Sequence, residues 1–170
     1  MLRSSLRASQ PEIRSRCKPG TDFLPVGSGA TRYRAGVTLA EKQTAWTEKY
    51  RLVPDPQERL AAIVGRKSRL EPLTDAERID ANLVPGCVSR VWLAGEVAGG
   101  ALRLRLDAEA GIVRGLAAFL AEFYDGAEAA EAAHFQPTLL EDLGIARVLS
   151  PTRLHGLGKV CERIRALSSP

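Results

Sequence analysis

Long apolar runs are missing from this chain of 170 residues. The longest, near residues 91–95 and 116–121, span only a few positions, far short of the roughly 20 that a membrane-spanning helix needs. No transmembrane helix and no membrane partner are expected. The opening stretch MLRSSLRASQPEIRSRCKPG is basic but lacks the apolar block of about 7 to 15 residues that a secretory signal places behind its basic start, so secretion is not expected. Cysteine is scarce as well. Cys17, Cys87 and Cys161 are an odd number at wide spacing with no CxxC pair, which fits neither a disulfide framework nor a zinc site. A reducing compartment and no metal are the consequences. An excess of basic charge is also missing from most of the chain. Residues 1–40 carry seven basic side chains against Glu12 and Asp22, a balance of +5, and the remaining 17 basic and 18 acidic side chains leave the rest at −1. A domain that grips phosphates should carry a basic face of its own, so a nucleic-acid partner is not expected for the folded part.

What remains is an ordinary globular composition, 45% apolar and 26% charged, of a length that suits one domain with a tail. Residues 1–37 mix Arg, Ser, Gly and Pro with little periodicity and are read as a basic, disordered extension. An organelle transit peptide is the alternative reading of that segment. Residues 38–170 form the domain. Thr38-Leu-Ala-Glu41 has the form of a capping box, and Asp55-Pro56-Gln57-Glu58 combines a capping Asp with a Pro at the first helical position. Leu39, Trp46, Tyr50 and Val53 share a face of the first helix, and Leu60, Ile63 and Val64 form the stripe of the second. Between Pro72 and Pro85 there is room for loop and a single turn at Thr74-x-x-Glu77.

From Val88 onward the preference turns to β-branched and aromatic residues. Residues 101–106 alternate strictly, with Leu102, Leu104 and Leu106 on one face, and residues 95–100 are read as the link of a hairpin. Asp107 is read as the cap of an amphipathic helix with Ile112, Val113, Leu116, Phe119, Leu120 and Phe123 on its apolar face, closed by Asp125-Gly126. Short helical pieces follow through Ala133, at Leu139 to a stop at Gly144, and from Ser150-Pro151. Strands and helices are segregated, which predicts an α+β fold with a small antiparallel sheet covered by helices.

The default for a lone cysteine is a small buried hydrophobe. Cys161 keeps that reading, because Leu154, Leu157, Cys161, Ile164 and Leu167 or Ser168 trace one face of the last helix. Cys87 does not. It follows the Pro85-Gly86 turn, where the backbone bends and a side chain can be presented at a loop tip. An attacking thiol also needs thiolate character, which neighbouring cations supply, and Arg78 and Arg90 flank it in sequence. A Cys-His nucleophile would require His134 or His155, each read as a solvated or capping residue. An iron–sulfur site would require more thiolates than this chain offers.

Two separated motifs bear on Cys87. The first comprises Asn82, Val84, Gly86, Cys87, Ser89, Val91 and Trp92; the second comprises Leu149, Ser150, Pro151, Arg153, Gly156 and Leu157. With Asp107 and the Ile-Val-Arg-Gly-Leu stretch at residues 112–116, they resemble the SufE family, sulfur acceptors that serve a PLP-dependent cysteine desulfurase of the SufS type in iron–sulfur cluster assembly. The resemblance runs from about Thr38 to Ser168. It implies the α+β fold shared with IscU-type scaffolds, and it makes Cys87 the acceptor that becomes a persulfide. Gly86, Ser89 and Arg153 are then partner-binding residues and Asn82 a support of the loop. Arg153 has helix-terminal structure as its alternative, and Trp92 is read as sheet core. The chain itself holds no cofactor, since PLP belongs to the desulfurase. The implied partners are that enzyme and a SufBCD-type scaffold complex, with the chain a monomer or weak dimer in the cytoplasm, or in an organelle matrix if residues 1–37 are a transit peptide. Ala108, Val148 and His155 depart from the family's frequent residues. Two other classes stay open: an interaction module that regulates a desulfurase without taking sulfur, and a freestanding Cys-dependent transferase or hydrolase. A third, nucleic-acid binding, would rest on the basic tail alone.

Overall fold

Thr38 opens the first helix as its sequence requires. In the computed structural model, which describes residues 36–169, its hydroxyl accepts from the Glu41 amide, and the Glu41 carboxylate accepts in return from the Thr38 amide at 2.9 Å. This reciprocal cap opens α1 (Leu39–Arg51). Asp55 caps α2 (Pro56–Gly65) by accepting from the amides of Gln57 and Glu58. A long connection follows, holding two short 3₁₀ turns, Asp75–Glu77 and Asp80–Asn82, where the sequence predicts one. The strands β1 (Val91–Ala98) and β2 (Ala101–Ala108) make a two-stranded antiparallel hairpin with Leu93 opposite Leu106 and Gly95 opposite Leu104. Next come α3 (Gly111–Tyr124), α4 (Ala129–His134), α5 (Leu139–Asp142), a 3₁₀ turn at Ile145–Arg147, and α6 (Pro151–Ser168). The predicted α+β architecture is the observed one. The readings of the tail, including Cys17 and the transit-peptide alternative, fall on residues outside those described.

Three boundaries differ from the sequence reading. Residues 88–90 belong to a loop rather than to β1, and Val88 is 84% exposed. Gly95 lies inside β1, and the hairpin turns on Gly99-Gly100 alone, both at positive φ as a tight two-residue hairpin turn demands. A Cβ at Gly95 would sit 2.7 Å from Leu104 Cδ2, so a glycine in mid-strand is what lets the facing leucine pack. Asp107 is not the cap of α3. That position is held by Ala110, which offers no side-chain cap, while Asp107 ends β2 as a buried carboxylate. The cause is that α3 starts three residues later than the Asp would need.

The core lies between one face of the hairpin and the helices α3 and α6, which both pack on it. Leu102, Leu104 and Leu106 meet Leu116, Phe119, Leu120 and Phe123, all buried, as the two periodicities require. Trp46 of α1 extends this core by packing on Phe119 and Phe123 with ring centroids 5.0 and 5.8 Å away. Buried charge holds the outer helices in place. Arg59 donates to the carbonyls of Tyr50, Val53 and Leu143, joining the α1–α2 corner to the end of α5. Glu122 accepts from Arg66, Ser68 and the Arg69 amide, tying the stretch after α2 to α3. Lys42 donates to the carbonyls of Glu122 and Asp125 at the C-terminus of α3, the end that favours a cation.

Candidate functional site: the Cys87 loop and its groove

The loop that carries Cys87 is short and firmly based. The Val84 amide donates to the Val91 carbonyl at 2.8 Å, and Leu83 bridges Trp92, so residues 85–90 leave the hairpin and return to it at one point. Below that point, three contacts fix the approach. Arg78 pairs with Asp107 at 2.6 Å, Arg105 pairs with Glu77, and Arg163 of α6 donates to the Ala81 carbonyl at 2.8 Å. Asn82 belongs to this base, since its amide donates to the Glu77 carbonyl at 2.8 Å. That bond braces the stretch that leads into the loop. Asp107 also pairs with Arg114 of α3 at 3.0 Å, so one buried carboxylate joins loop, strand and helix.

At the tip, Gly86 takes φ +79°, a conformation other residues resist, and a Cβ added there would meet the methylenes of Lys159 at 3.6 Å. That turn sends the Cys87 side chain inward. Its Sγ donates to the Gly156 carbonyl of α6 at 3.3 Å, and the thiol is half-buried. Val88, the next residue, points out.

The thiol opens onto a groove of about 560 Å³. Its walls are residues 87–89 of the loop, residues 110–113 at the start of α3, and Ser150, Arg153 and Leu157 at the start of α6. Its rim is apolar, with Val88 and the 41%-exposed Ile112. Cys87, Ser89 and Arg153, drawn from the two sequence motifs, thus share one surface. Gly86 stands behind it, against Lys159. Among the described residues the Arg153 guanidinium has no ion-pair partner, while its amide donates to Ser150 Oγ at 3.4 Å.

The two arginines that flank Cys87 in sequence are engaged elsewhere. Arg78 is committed to Asp107 and Asp75. Arg90 faces Glu109 and lies over the Trp92 ring at 4.7 Å. With both arginines so engaged, burial pushes the Cys87 thiol above its ordinary value. Neither His134 nor His155 bonds to Sγ, and both are exposed, so no base is in place for a Cys-His nucleophile. Cys161 is buried on the inner face of α6 as its stripe predicts, and burial pushes its thiol up to about 12. Among the described residues, no group of three or more His, Cys, Asp or Glu side chains is arranged to hold a metal ion, and no helix is long and apolar enough to cross a membrane. Trp92 is 5% exposed and is core, as read from the sequence. The acceptor at Gly156 and the rim at Ile112 were not visible in the sequence as site features. Gly156 appears there as a motif glycine, and nothing in a one-dimensional pattern says which carbonyl a distant thiol will meet.

Known proteins are similar to this chain. The model of the family described as "SufE: Fe-S metabolism associated domain" matches residues 44–168. The sulfur acceptor protein CsdE of Escherichia coli is 35% identical over 144 residues, which cover 84% of this chain and 90% of that protein. An uncharacterized SufE-like protein of Synechocystis is 30% identical over 122 residues, 72% of this chain and 77% of its own. A chloroplastic quinolinate synthase of rice is 37% identical over 98 residues, which make up 57% of this chain and only 14% of that larger protein. A solution structure of a hypothetical protein from Thermus thermophilus superposes with a TM-score of 0.62 over 75% of this chain and 93% of that one; at 21% identity this likeness speaks for the fold alone. With the family match spanning most of the chain and relatives aligned across most of their own lengths, the chain belongs to the SufE family of proteins associated with iron–sulfur metabolism.

Proposed function

We propose that this protein is a sulfur acceptor: it takes the outer sulfur of a persulfide carried by a PLP-dependent cysteine desulfurase of the SufS type onto Cys87, stimulates that enzyme, and delivers the sulfur to an iron–sulfur scaffold complex of the SufBCD type. The observation that carries this reading is the presentation of Cys87 at the tip of a closed loop, over a groove walled by both motifs that resemble the family. The relative named as a sulfur acceptor, aligned over most of both chains, supports it. The chemistry is thiol exchange. The Cys87 thiolate attacks the outer sulfur of the enzyme's persulfide, a bond forms from Sγ to that sulfur, and the bond to the enzyme's cysteine breaks as its thiolate leaves. Delivery repeats the step with Cys87 as the leaving thiolate, and no net oxidation occurs. Gly86 supplies the hinge, and Ser89 and Arg153 meet the desulfurase. The protein needs no cofactor of its own for this, acts as a monomer or weak dimer, and works in the cytoplasm, or in an organelle matrix if residues 1–37 are a transit peptide.

The test mixes the full chain with a SufS-type desulfurase, PLP and cysteine, and follows the Cys87 peptide by mass spectrometry beside Cys87→Ser. One added sulfur on Cys87, absent from the variant, together with faster alanine production is the expected result. A second reading, an interaction module that regulates a desulfurase without taking sulfur, is favoured by the burial that holds the Cys87 thiol protonated in the free protein. It wins if Cys87 stays bare and Cys87→Ser stimulates the enzyme as well as the parent chain does.

A further inference from the structure

The contact between Cys87 and α6 distinguishes chemical states of the sulfur. A thiol can donate its proton to a carbonyl; a thiolate has none to donate, and neither has a sulfur already bonded to a second sulfur. Sγ lies 3.3 Å from the Gly156 carbonyl oxygen. A carbonyl has two acceptor sites, so this oxygen can serve the α6 ladder and the thiol together. Once Sγ has lost its proton, the same distance sets lone pairs against a carbonyl dipole. The thiol also packs against Gly156, where an added Cβ would meet Sγ at 3.4 Å. A second sulfur, bonded at about 2.05 Å, can enter the groove onto which the thiol opens.

The rest of the loop is built to let go at the tip alone. Its base is held by the Val84–Val91 hydrogen bond and by the Arg78–Asp107 and Arg105–Glu77 pairs. Its tip has the Gly86 backbone, free to turn, and Val88, which is almost fully exposed. At the tip, the polar contact that Cys87 makes with α6 is the one to Gly156.

We propose that the Gly156 carbonyl is a positioning group that reads the state of Cys87: it holds the loop tip against α6 while Sγ is a thiol and releases it when Sγ is a thiolate or carries a second sulfur. The inference rests on the sulfur-acceptor reading for its purpose, which is to keep the empty thiol sheltered and to free the loaded or ionised one for transfer. Its physical content concerns this chain alone and is tested without a partner.

The experiment compares four forms of the full chain in a Cys17→Ser background: the free thiol, the adduct with methyl methanethiosulfonate, Cys87→Ala and Cys87→Ser. In forming the adduct, the Cys87 thiolate attacks the reagent's sulfenyl sulfur and methanesulfinate leaves, giving an Sγ–S–CH₃ group that mimics the loaded state without a donor. Backbone ¹⁵N heteronuclear NOE values for residues 86–90 report the mobility of the tip, and the ¹³C′ shift of Gly156 reports the hydrogen bond it accepts. The thiol form is expected to be as rigid as β1 and α3. The adduct and Cys87→Ala are expected to lose roughly half of the NOE at the tip and to move the Gly156 ¹³C′ resonance upfield, while the hydroxyl of Cys87→Ser restores both. A tip equally rigid in Cys87→Ala and the thiol form overturns the inference, as does a Cys87→Ser loop as loose as Cys87→Ala or a tip already mobile in the thiol form. Sulfur transfer to a loop of unchanged mobility would remove this inference and leave the acceptor role standing.

Discussion

Neutralising Asp107 should loosen the base of the cysteine loop and cost the fold about 1–2 kcal/mol. Asp107→Asn keeps the shape of the side chain but replaces one oxygen with an NH₂ group. In the native structure Oδ2 lies 2.6 Å from Arg78 and Oδ1 lies 3.0 Å from Arg114, and Oδ1 also accepts from the Ala108 amide at 2.8 Å. The carboxamide can serve one guanidinium and the amide; toward the other it presents hydrogen to hydrogen. The magnitude is bracketed by two limits. Removing one partner of a fully buried pair costs about 3–5 kcal/mol, because it strands a charge, whereas an exposed pair contributes about 0–1 kcal/mol. Asp107 itself is 8% exposed, but the Arg78 and Arg114 side chains are 42% and 54% exposed, so water can take over both cations once they are released. The estimate therefore falls nearer the lower limit, counted for two contacts. For a domain of this size it lowers Tm by roughly 3–8 °C. The assay is thermal and urea unfolding of Asp107→Asn, Arg78→Gln and the double variant, read as a cycle, with a coupling of about 0.5–1.5 kcal/mol expected. An Asp107→Asn protein within about 0.5 kcal/mol of the parent, or a cycle with no coupling, would refute the assignment of Asp107 as the joint between loop, strand and helix.

Two further outcomes follow from the packing. Because burial raises the ionisation of Cys87 above the ordinary 9.0, alkylation of the folded chain by iodoacetamide near pH 8 should be several-fold slower at Cys87 than in the urea-unfolded chain and should climb only above about pH 9, with Cys161 unreactive throughout. The linkage has a definite sign: both folded thiols hold their protons more tightly than unfolded ones, so their contribution to stability is complete below about pH 9 and declines as pH rises from there toward the value near 12 of Cys161. Gly115→Ala should destabilise the protein by about 1–3 kcal/mol, since its Cβ would lie 2.8 Å from the Val64 Cα and 3.1 Å from the Val64 carbonyl oxygen, backbone atoms that can yield only by parting α2 from α3; urea unfolding measures it, and an unchanged midpoint would show that the helices have slack there.

The parts of this molecule that were legible in the sequence are those specified by local chemistry. Thr38, Asp55 and Ser150 cap helices because their side chains reach amides two or three residues ahead, and that distance is written in the sequence. The leucines of β2 and the apolar stripe of α3 declare their faces by period. The position of Cys87 after Pro85-Gly86 was legible for the same reason, since a turn is a local event. Asp107 was misread because a capping Asp and a buried ion-pair Asp look alike before a helix; what separates them is Arg78, 29 positions earlier in the sequence. The positions of the arginines that flank Cys87 were not legible at all, as adjacency in sequence says nothing about which carboxylate a guanidinium will find. Gly156 lies furthest from legibility. Its contribution is a backbone oxygen 69 residues from the cysteine, and no side chain marks it.

These placements bear on how the proposed chemistry can proceed. An attacking thiol must ionise, and the free protein gives Cys87 little help to do so. Arg78 and Arg90 are occupied with carboxylates, Lys159 is paired with Glu162 at 2.8 Å, and no histidine bonds to Sγ. Such a thiol is slow toward oxidants as well as toward persulfides, which suits a carrier that waits between encounters, because a standing thiolate would climb the oxidation ladder to forms that no longer accept sulfur. Acceptance then requires two changes together: departure of Sγ from Gly156 and a cationic or donor-rich setting at the place it reaches. Arg153, on the groove and without an ion-pair partner among the described residues, is the cation this chain can contribute. The remainder has to come from the surface that receives the loop. Under the sulfur-acceptor reading, reactivity is therefore a property of the complex, and a free chain that proved strongly nucleophilic at neutral pH would contradict both the geometry around Cys87 and the role drawn from it.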